Sequence, residues 1–377
     1  MLKVKVKKDE LEKGLAQISN IAGKFSSMPV LANVLLEAQD GLLILSGTDL
    51  ELTFRARYTA EVFDEGKITA PAKTLSDLVH AVNSEFVVLE ELENQTLELQ
   101  TTNFTTDIYG MSPESFPYVS DLENIPMAEF QAAKLVDAIN KTIYTVSASK
   151  INYNLSGIYW FKEPDENEVE VLRLASSDSN RLNLATLPTN NLEDMHLENG
   201  ILVSRKGLAE LKTLADNVET IALGLDVNNL IAKTSTTTLS IRLLQGNFPN
   251  YKMLIPETPP VTVVLNRKDF IESLKRFNLL TTSKYRMAYM EISENSIILT
   301  NDNPELGTAK EEIETEYKGP NYKLSFDPKF FLEPLGTLKS ERFQFLLTDT
   351  KKPVRITAVD DDPGYMGIIS LIAPKDE

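Results

Sequence analysis

The sequence predicts an α+β fold made of three tandem copies of one unit of roughly 125 residues, each with two helices packed on antiparallel sheets. Three observations carry that reading. Helical apolar spacing recurs twice per copy, strand-like runs fill the chain between, and a polar turn returns at the same phase.

The first helix of each copy is marked by Leu11-x3-Leu15, Leu135-x3-Ile139 and Phe270-x3-Leu274. In the first copy the apolar series continues through Ile18 to Ala22, one face of a helix. The second helix opens at Pro71-Ala72-Lys73, Ser204-Arg205-Lys206 and Asp327-Pro328-Lys329, where Pro, Ser and Asp suit a helix start or cap. The predicted helices cover 8–24, 71–83, 131–143, 204–215, 267–277 and 327–340.

Strand-like runs include 42–46, 169–174 and 296–300, and the acidic stretch 163–168 reads as a hairpin turn. Between the two helices of each copy a strand runs into a polar turn: Gly47-Thr48-Asp49-Leu50, Ser177-Asp178-Ser179-Asn180 and Asn301-Asp302-Asn303-Pro304. Two copies end alike, on Phe116-Pro117-Tyr118 and Phe248-Pro249-Asn250-Tyr251. Breaks at Pro126 and at Pro256–Pro260 place the copies at 1–125, 126–256 and 257–377.

With 377 residues, 42% of them hydrophobic, the chain is long enough for a core in each copy. It has no cysteine, so disulfides and thiolate metal sites are excluded, which suits a reducing compartment. The N-terminal stretch Met1–Lys8 alternates like a strand and lacks the apolar block of a signal peptide. No run of apolar residues is long enough to span a bilayer, so a cytoplasmic protein is expected.

The net charge of −17 argues against nucleic acid when taken alone. Its distribution argues otherwise. The six predicted helices sum to +5, so the remaining chain carries −22. Helices lining a hole would make it basic inside an acidic shell. The size of the unit bears on such a hole. A copy of this length has a solid radius of about 18 Å, and three touching spheres leave a gap of only about 3 Å. Six in a hexagon leave a gap as wide as one sphere, and a DNA duplex has a radius of about 10 Å. One chain is too small to encircle DNA; two joined head to tail are not.

Catalysis is the competing class. There is no phosphate-binding Gly-x4-Gly-Lys-Ser/Thr loop and no Gly-x-Ser-x-Gly elbow. His80 and His196 have no ligand partners at metal spacing, and no metal or other cofactor is expected. Asp49 and Asp178 are the carboxylates to watch, but both sit in the repeated turn, which favours a structural role. A non-DNA scaffold that binds only peptides remains a third class.

The blocks Met28-Pro29-Val30-Leu31-Ala32-Asn33, Gly47-Thr48-Asp49-Leu50-Glu51, Arg205-Lys206-Gly207, Gly246-Asn247-Phe248-Pro249-Asn250-Tyr251 and Asn301-Asp302-Asn303-Pro304-Glu305 stand in family order. Through them essentially the whole chain resembles the bacterial DNA sliding clamps, the beta subunits of DNA polymerase III. The resemblance implies a non-catalytic homodimeric ring that an ATPase loads onto primed DNA and that tethers the polymerase. DNA contacts would be electrostatic and non-specific.

The resemblance also implies sites. Channel positions would be Lys24, Lys73, Lys134, Lys141 and Lys150, with Tyr153, Arg205, Lys206 and Lys275. A cleft for partner peptides between the second and third copies would use Leu155, Ser177, Arg181, Leu182 and Pro249, then Met253, Leu254, Met366 and Ile368. Leu155, Leu182 and Leu254 would serve equally as ordinary core; the resemblance, not the pattern, selects the cleft. Ile108, Leu279 and Leu280 would meet the mate. Two departures bear on peptide preference. The family often reads Thr-Asp-Gly-His-Arg-Leu where this chain has Ser177-Asp178-Ser179-Asn180-Arg181-Leu182, and tends to end near a Met-Pro-Met run where this chain has Ile368-Ile369-Ser370.

Overall fold

The computed structural model describes residues 1–22, 27–120, 122, 124–147, 153–165, 167–189, 191–255, 261–360 and 364–372, with residue 153 described by its backbone alone. Among them are six α-helices: α1 Lys8–Ile21, α2 Ala72–Ala81, α3 Ala132–Ile143, α4 Arg205–Ala215, α5 Arg267–Asn278 and α6 Pro328–Thr337. Each falls on its predicted span. Helix α1 buries Leu11, Leu15 and Ile18, the stripe its spacing demanded. It also buries Gly14, where a Cβ would stand 2.7 Å from the Tyr58 hydroxyl, so the glycine lets the helix lie close on the sheet. Asp327 caps α6 by accepting from the Lys329 amide at 2.9 Å, ahead of Pro328. Asn266 caps α5 in the same way. Pro71 differs from expectation: it ends a strand one residue ahead of α2 and gives no side-chain cap.

Among the described residues the strands form three antiparallel sheets. In the first, the order from one edge is Thr105–Tyr109, Thr96–Gln100, Phe86–Leu92, Lys3–Lys7 and Leu52–Asp64, all from the first copy. Leu52–Asp64 then pairs with Thr237–Arg242 of the middle copy, at Thr53↔Ser240 and Arg55↔Thr238. Asn229–Lys233, Thr220–Asp226 and Ala128–Gln131 complete that edge.

The second sheet crosses the other junction. Arg181–Leu187 of the middle copy pairs with Tyr365–Ile369 of the third, at Leu182↔Ile368 and Leu184↔Met366. A third sheet of four strands, with Gly307–Glu314 and Tyr322–Phe326 at its edges, belongs to the third copy.

The chain therefore forms two compact units that do not follow the copies. One holds 1–132, 190–196 and 206–243; the other holds 133–189, 197–205 and 244–377. The middle copy is divided because each of its sheets continues into a neighbour's.

The repeated turn is the same object in the first two copies. Asp49 Oδ1 accepts from the Glu51 and Leu52 amides at 3.0 and 2.7 Å. Asp178 Oδ1 accepts from the Asn180 and Arg181 amides at 3.0 and 2.9 Å. The middle residue is left-handed in both, Leu50 at φ 74° and Ser179 at φ 76°. In the third copy the loop is one residue shorter, with Asn303 accepting from the Glu305 amide.

Candidate functional site

The turn at Asp178 delivers Arg181 to the start of its strand, where only 7% of the residue is exposed. Its Nε and Nη2 donate to Asp178 Oδ2 at 3.0 and 2.7 Å, and Nη1 donates to Glu333 Oε2 on α6. The guanidinium also lies 4.5 Å from the centre of the Phe330 ring. Burial disfavours the cation, but Glu333 and Asp178 outweigh it and hold its pKa above the ordinary value. Arg181 is thus oriented before any partner arrives.

On the other face of the same strand, alternation and the pairing of Arg181–Leu187 with Tyr365–Ile369 gather an apolar cluster from two copies. Leu182, Leu184, Ile368, Phe161, Ala175 and Tyr251 are buried together, with Tyr159, Phe248 and Met366 packed against them. Tyr159 and Phe248 stack at 5.2 Å with rings 2° from parallel. At the margin, Met253 and Leu254 are 83% and 46% exposed. Pro249 is exposed next to Phe248, while Leu155 and Ser177 are buried. What the arrangement exposes is Met253, Leu254 and Pro249 at the margin of a buried apolar cluster, an apolar edge with a flexible thioether.

Below the cluster, the Tyr144 and Tyr365 hydroxyls both donate to Asn183 Oδ1 at 2.7 Å, and Asn183 Nδ2 donates to Thr145 Oγ1 at 2.9 Å. Burial pushes the Tyr144 hydroxyl far above its usual pKa, so it stays a donor.

Of the predicted cleft residues, Leu182, Met366 and Ile368 share this cluster. Sequence reasoning missed Phe161, Leu184, Tyr159 and Glu333. The repeated Phe-Pro mark carries part of the signal: Pro249 stands among the predicted cleft residues, and its neighbours Phe248 and Tyr251 belong to the cluster.

Among the channel candidates, Lys73, Lys134, Arg205, Lys206 and Lys275 are exposed on helices. Lys206 pairs with Asp49 Oδ2, and Lys275 with Glu272 at 2.7 Å. Lys141 requires a correction: it is 5% exposed, and its ammonium sits 2.5 Å from Asp137 Oδ2 one helical turn away. It is a packing residue and not a surface cation. Lys24 and Lys150 lie outside the described residues, as does the side chain of Tyr153. Ile108 lies on the edge strand Thr105–Tyr109 but is 5% exposed; Leu279, after α5, is 78% exposed and Leu280 half-buried.

The competing chemistry fares differently. Asp49 and Asp178 spend their oxygens on turn amides and on Lys206 and Arg181. His80 Nδ1 lies 2.5 Å from Glu12 Oε1 at the surface. Among the described residues no group of three or more His, Asp or Glu side chains could hold a metal, and no helix is long and apolar enough to cross a membrane.

Comparison with known proteins then decides the family. The model of the DNA polymerase III beta subunit N-terminal domain matches residues 2–120, that of the central domain 129–250, and that of the C-terminal domain 252–368. The chain belongs to the DNA polymerase III beta subunit family. It is 25% identical to the beta sliding clamp of Vibrio cholerae over 98% of this chain and 100% of that one. It is 26% identical to that of Escherichia coli K12, over 94% and 95%. Among solved structures it resembles the DNA polymerase III beta subunit of Thermotoga maritima, with TM-score 0.88, 27% identity and full coverage of both chains. A Caulobacter crescentus beta sliding clamp matches with TM-score 0.91 and 25% identity over 99% of this chain and all of that one. Membership carries the role of a DNA polymerase processivity factor with no catalytic chemistry of its own.

Proposed function

We propose that this chain is a sliding clamp: two copies close head to tail into a ring of six domains, with boundaries near residues 125 and 256, that encircles duplex DNA in the cytoplasm. Topology, not affinity, keeps such a ring on its substrate. The observation that carries the reading is the match of three family domains in order from residue 2 to residue 368.

The exposed cations Lys73, Lys134, Arg205, Lys206 and Lys275 serve as the loose, non-specific face toward phosphates. The cluster around Leu182, Met366 and Ile368, with exposed Met253 and Leu254, receives short peptides of the polymerase, the clamp-loader ATPase and other partners. Arg181 anchors a polar group of the peptide. Leu279 and Leu280 of one protomer meet the first copy of the other near Ile108, closing the ring.

The test is topological. The protein is loaded with a clamp-loader ATPase onto a nicked circle, and retention is measured before and after linearisation. A ring is retained on the circle and runs off the cut DNA. Equal retention on both forms overturns encirclement, and a strict monomer at micromolar concentration overturns the ring.

A further inference from the structure

We propose that Asn199-Gly200 is a site of spontaneous covalent modification: the asparagine deamidates through a cyclic imide, and the isoaspartate formed there displaces the aromatic stack of Tyr159 and Phe248 behind the cleft. Only the effect on partner peptides rests on the cleft reading; the chemistry and its structural effect do not.

The chain carries a single Asn-Gly pair. It lies in the loop ahead of the strand Ile201–Ser204, and both residues are exposed. Among the described residues, the Asn199 side-chain amide has no hydrogen-bond partner and the Gly200 N–H donates to no acceptor. The electrophile, Asn199 Cγ, and the nucleophile, the Gly200 nitrogen, are therefore restrained by no partner.

Packing demands the glycine. A Cβ at position 200 would stand 2.0 Å from the Tyr159 hydroxyl and 2.1 Å from Cζ of its ring. The fold thus keeps beside Asn199 the one residue type that has no side chain to shield its nitrogen.

The reaction needs only water. The Gly200 nitrogen gives its proton to solvent and attacks Asn199 Cγ. The N–Cγ bond forms, the Cγ–Nδ2 bond breaks, and Nδ2 takes a proton from solvent and leaves as ammonia. Water then opens the imide. Cleavage of the new N–Cγ bond gives aspartate. Cleavage between that nitrogen and the Asn199 backbone carbonyl carbon gives isoaspartate, whose main chain runs through Cβ and Cγ.

Isoaspartate lengthens the main chain by a methylene and adds a carboxylate. The extra length enters directly before Ile201, which pairs with Trp160 as Leu202 pairs with Tyr159. Gly200 already lies against the outer end of the Tyr159 ring, so its main chain has no room to shift that way without moving the ring. Tyr159 stacks on Phe161 at 5.1 Å and on Phe248 at 5.2 Å, and Phe248 adjoins the exposed Pro249. Trp160, the only tryptophan of the chain, is 0% exposed on the same strand and reports any such shift.

In the experiment the full-length protein is incubated at mildly alkaline pH beside a synthetic peptide of residues 195–203. Both are followed by mass-spectrometric peptide mapping and by isoaspartyl methyltransferase labelling. Conversion in the folded protein should run within about tenfold of the free peptide. Trp160 emission should shift to the red in step with isoaspartate. Asn199→Gln, whose longer side chain closes an imide far more slowly, should show neither change. Freshly purified Asn199→Asp, which has the charge without the extra methylene, should keep the original emission. Thermal melting of each variant reports whether it is folded. A polymerase-derived peptide should bind the converted protein several-fold more weakly than the fresh protein. Lack of conversion at Asn199 while the free peptide converts overturns the proposal. So does conversion with Trp160 emission unchanged, and so does the same drift in Asn199→Gln. A polymerase peptide that fails to bind even the fresh protein counts against the cleft reading alone, and mass and emission still decide the modification.

Discussion

Asp178 closes the turn ahead of Arg181 with one carboxylate oxygen and grips the Arg181 guanidinium with the other, at 2.9 Å to the amide and 2.7 Å to Nη2. The two tasks are separable. Asp178→Asn retains the turn acceptor but loses the charge, so the fold should survive with a loss of about 1 kcal/mol. A polymerase-derived peptide should bind several-fold more weakly, because Arg181 keeps Glu333 but loses the paired grip of Asp178 on Nε and Nη2. Calorimetric melting and peptide titration check the two parts.

Met253 tests the cleft without endangering the core. At 83% exposure its side chain contributes little to folding, so Met253→Ser should leave the melting temperature unchanged. Peptide affinity should fall roughly threefold to tenfold if the thioether covers the bound segment. Ile368→Ser is the poorer probe, since a side chain that is 3% exposed costs stability when truncated.

Lys141 and Lys73 should behave as opposites. Lys141→Ala removes a partner from Asp137, which keeps Lys339 at 2.8 Å, and should cost about 1–2 kcal/mol of stability without changing retention on DNA circles. Lys73→Glu on exposed α2 should leave stability intact and slow salt-dependent association with DNA during loading, an effect that fades as salt rises, while retention on a closed circle stays the same.

Acid should find particular weak points. Burial raises the Asp137 carboxyl, but hydrogen bonds from Lys141 and Lys339 outweigh it, and its pKa ends below the ordinary 3.8. A hydrogen bond from Arg276 leads the causes that hold Glu311 below its ordinary 4.5. A carboxyl with a lowered folded-state pKa contributes stability that is complete above its unfolded value and is lost as pH falls through the folded one. Melting temperature should therefore drop on acidification below about pH 4. Asp137→Asn should flatten that arm of the curve.

Local features were legible in the sequence. The helices could be placed because i, i+4 stripes such as Leu11–Leu15–Ile18 and caps such as Asp327 are set by near neighbours. The Asp49 and Asp178 turns were legible for the same reason. The Phe161, Leu184 and Tyr251 wall was not, because strand pairing across a separation such as Leu184↔Met366 assembles it. Lys141 is buried although its charge suggests a surface cation, and the local signal for that is the carboxylate four residues earlier at Asp137.

The shared sheets have a consequence for how the molecule comes apart. A repeat that lends one sheet to each neighbour has no interior of its own, so it cannot be excised, swapped or melted singly. Thermal or mechanical failure should proceed in blocks of one and a half repeats. A truncation at residue 250 would keep the first two copies nearly whole on paper, yet it would strip Arg181–Leu187 of its pairing strand and leave a raw β-edge open to aggregation.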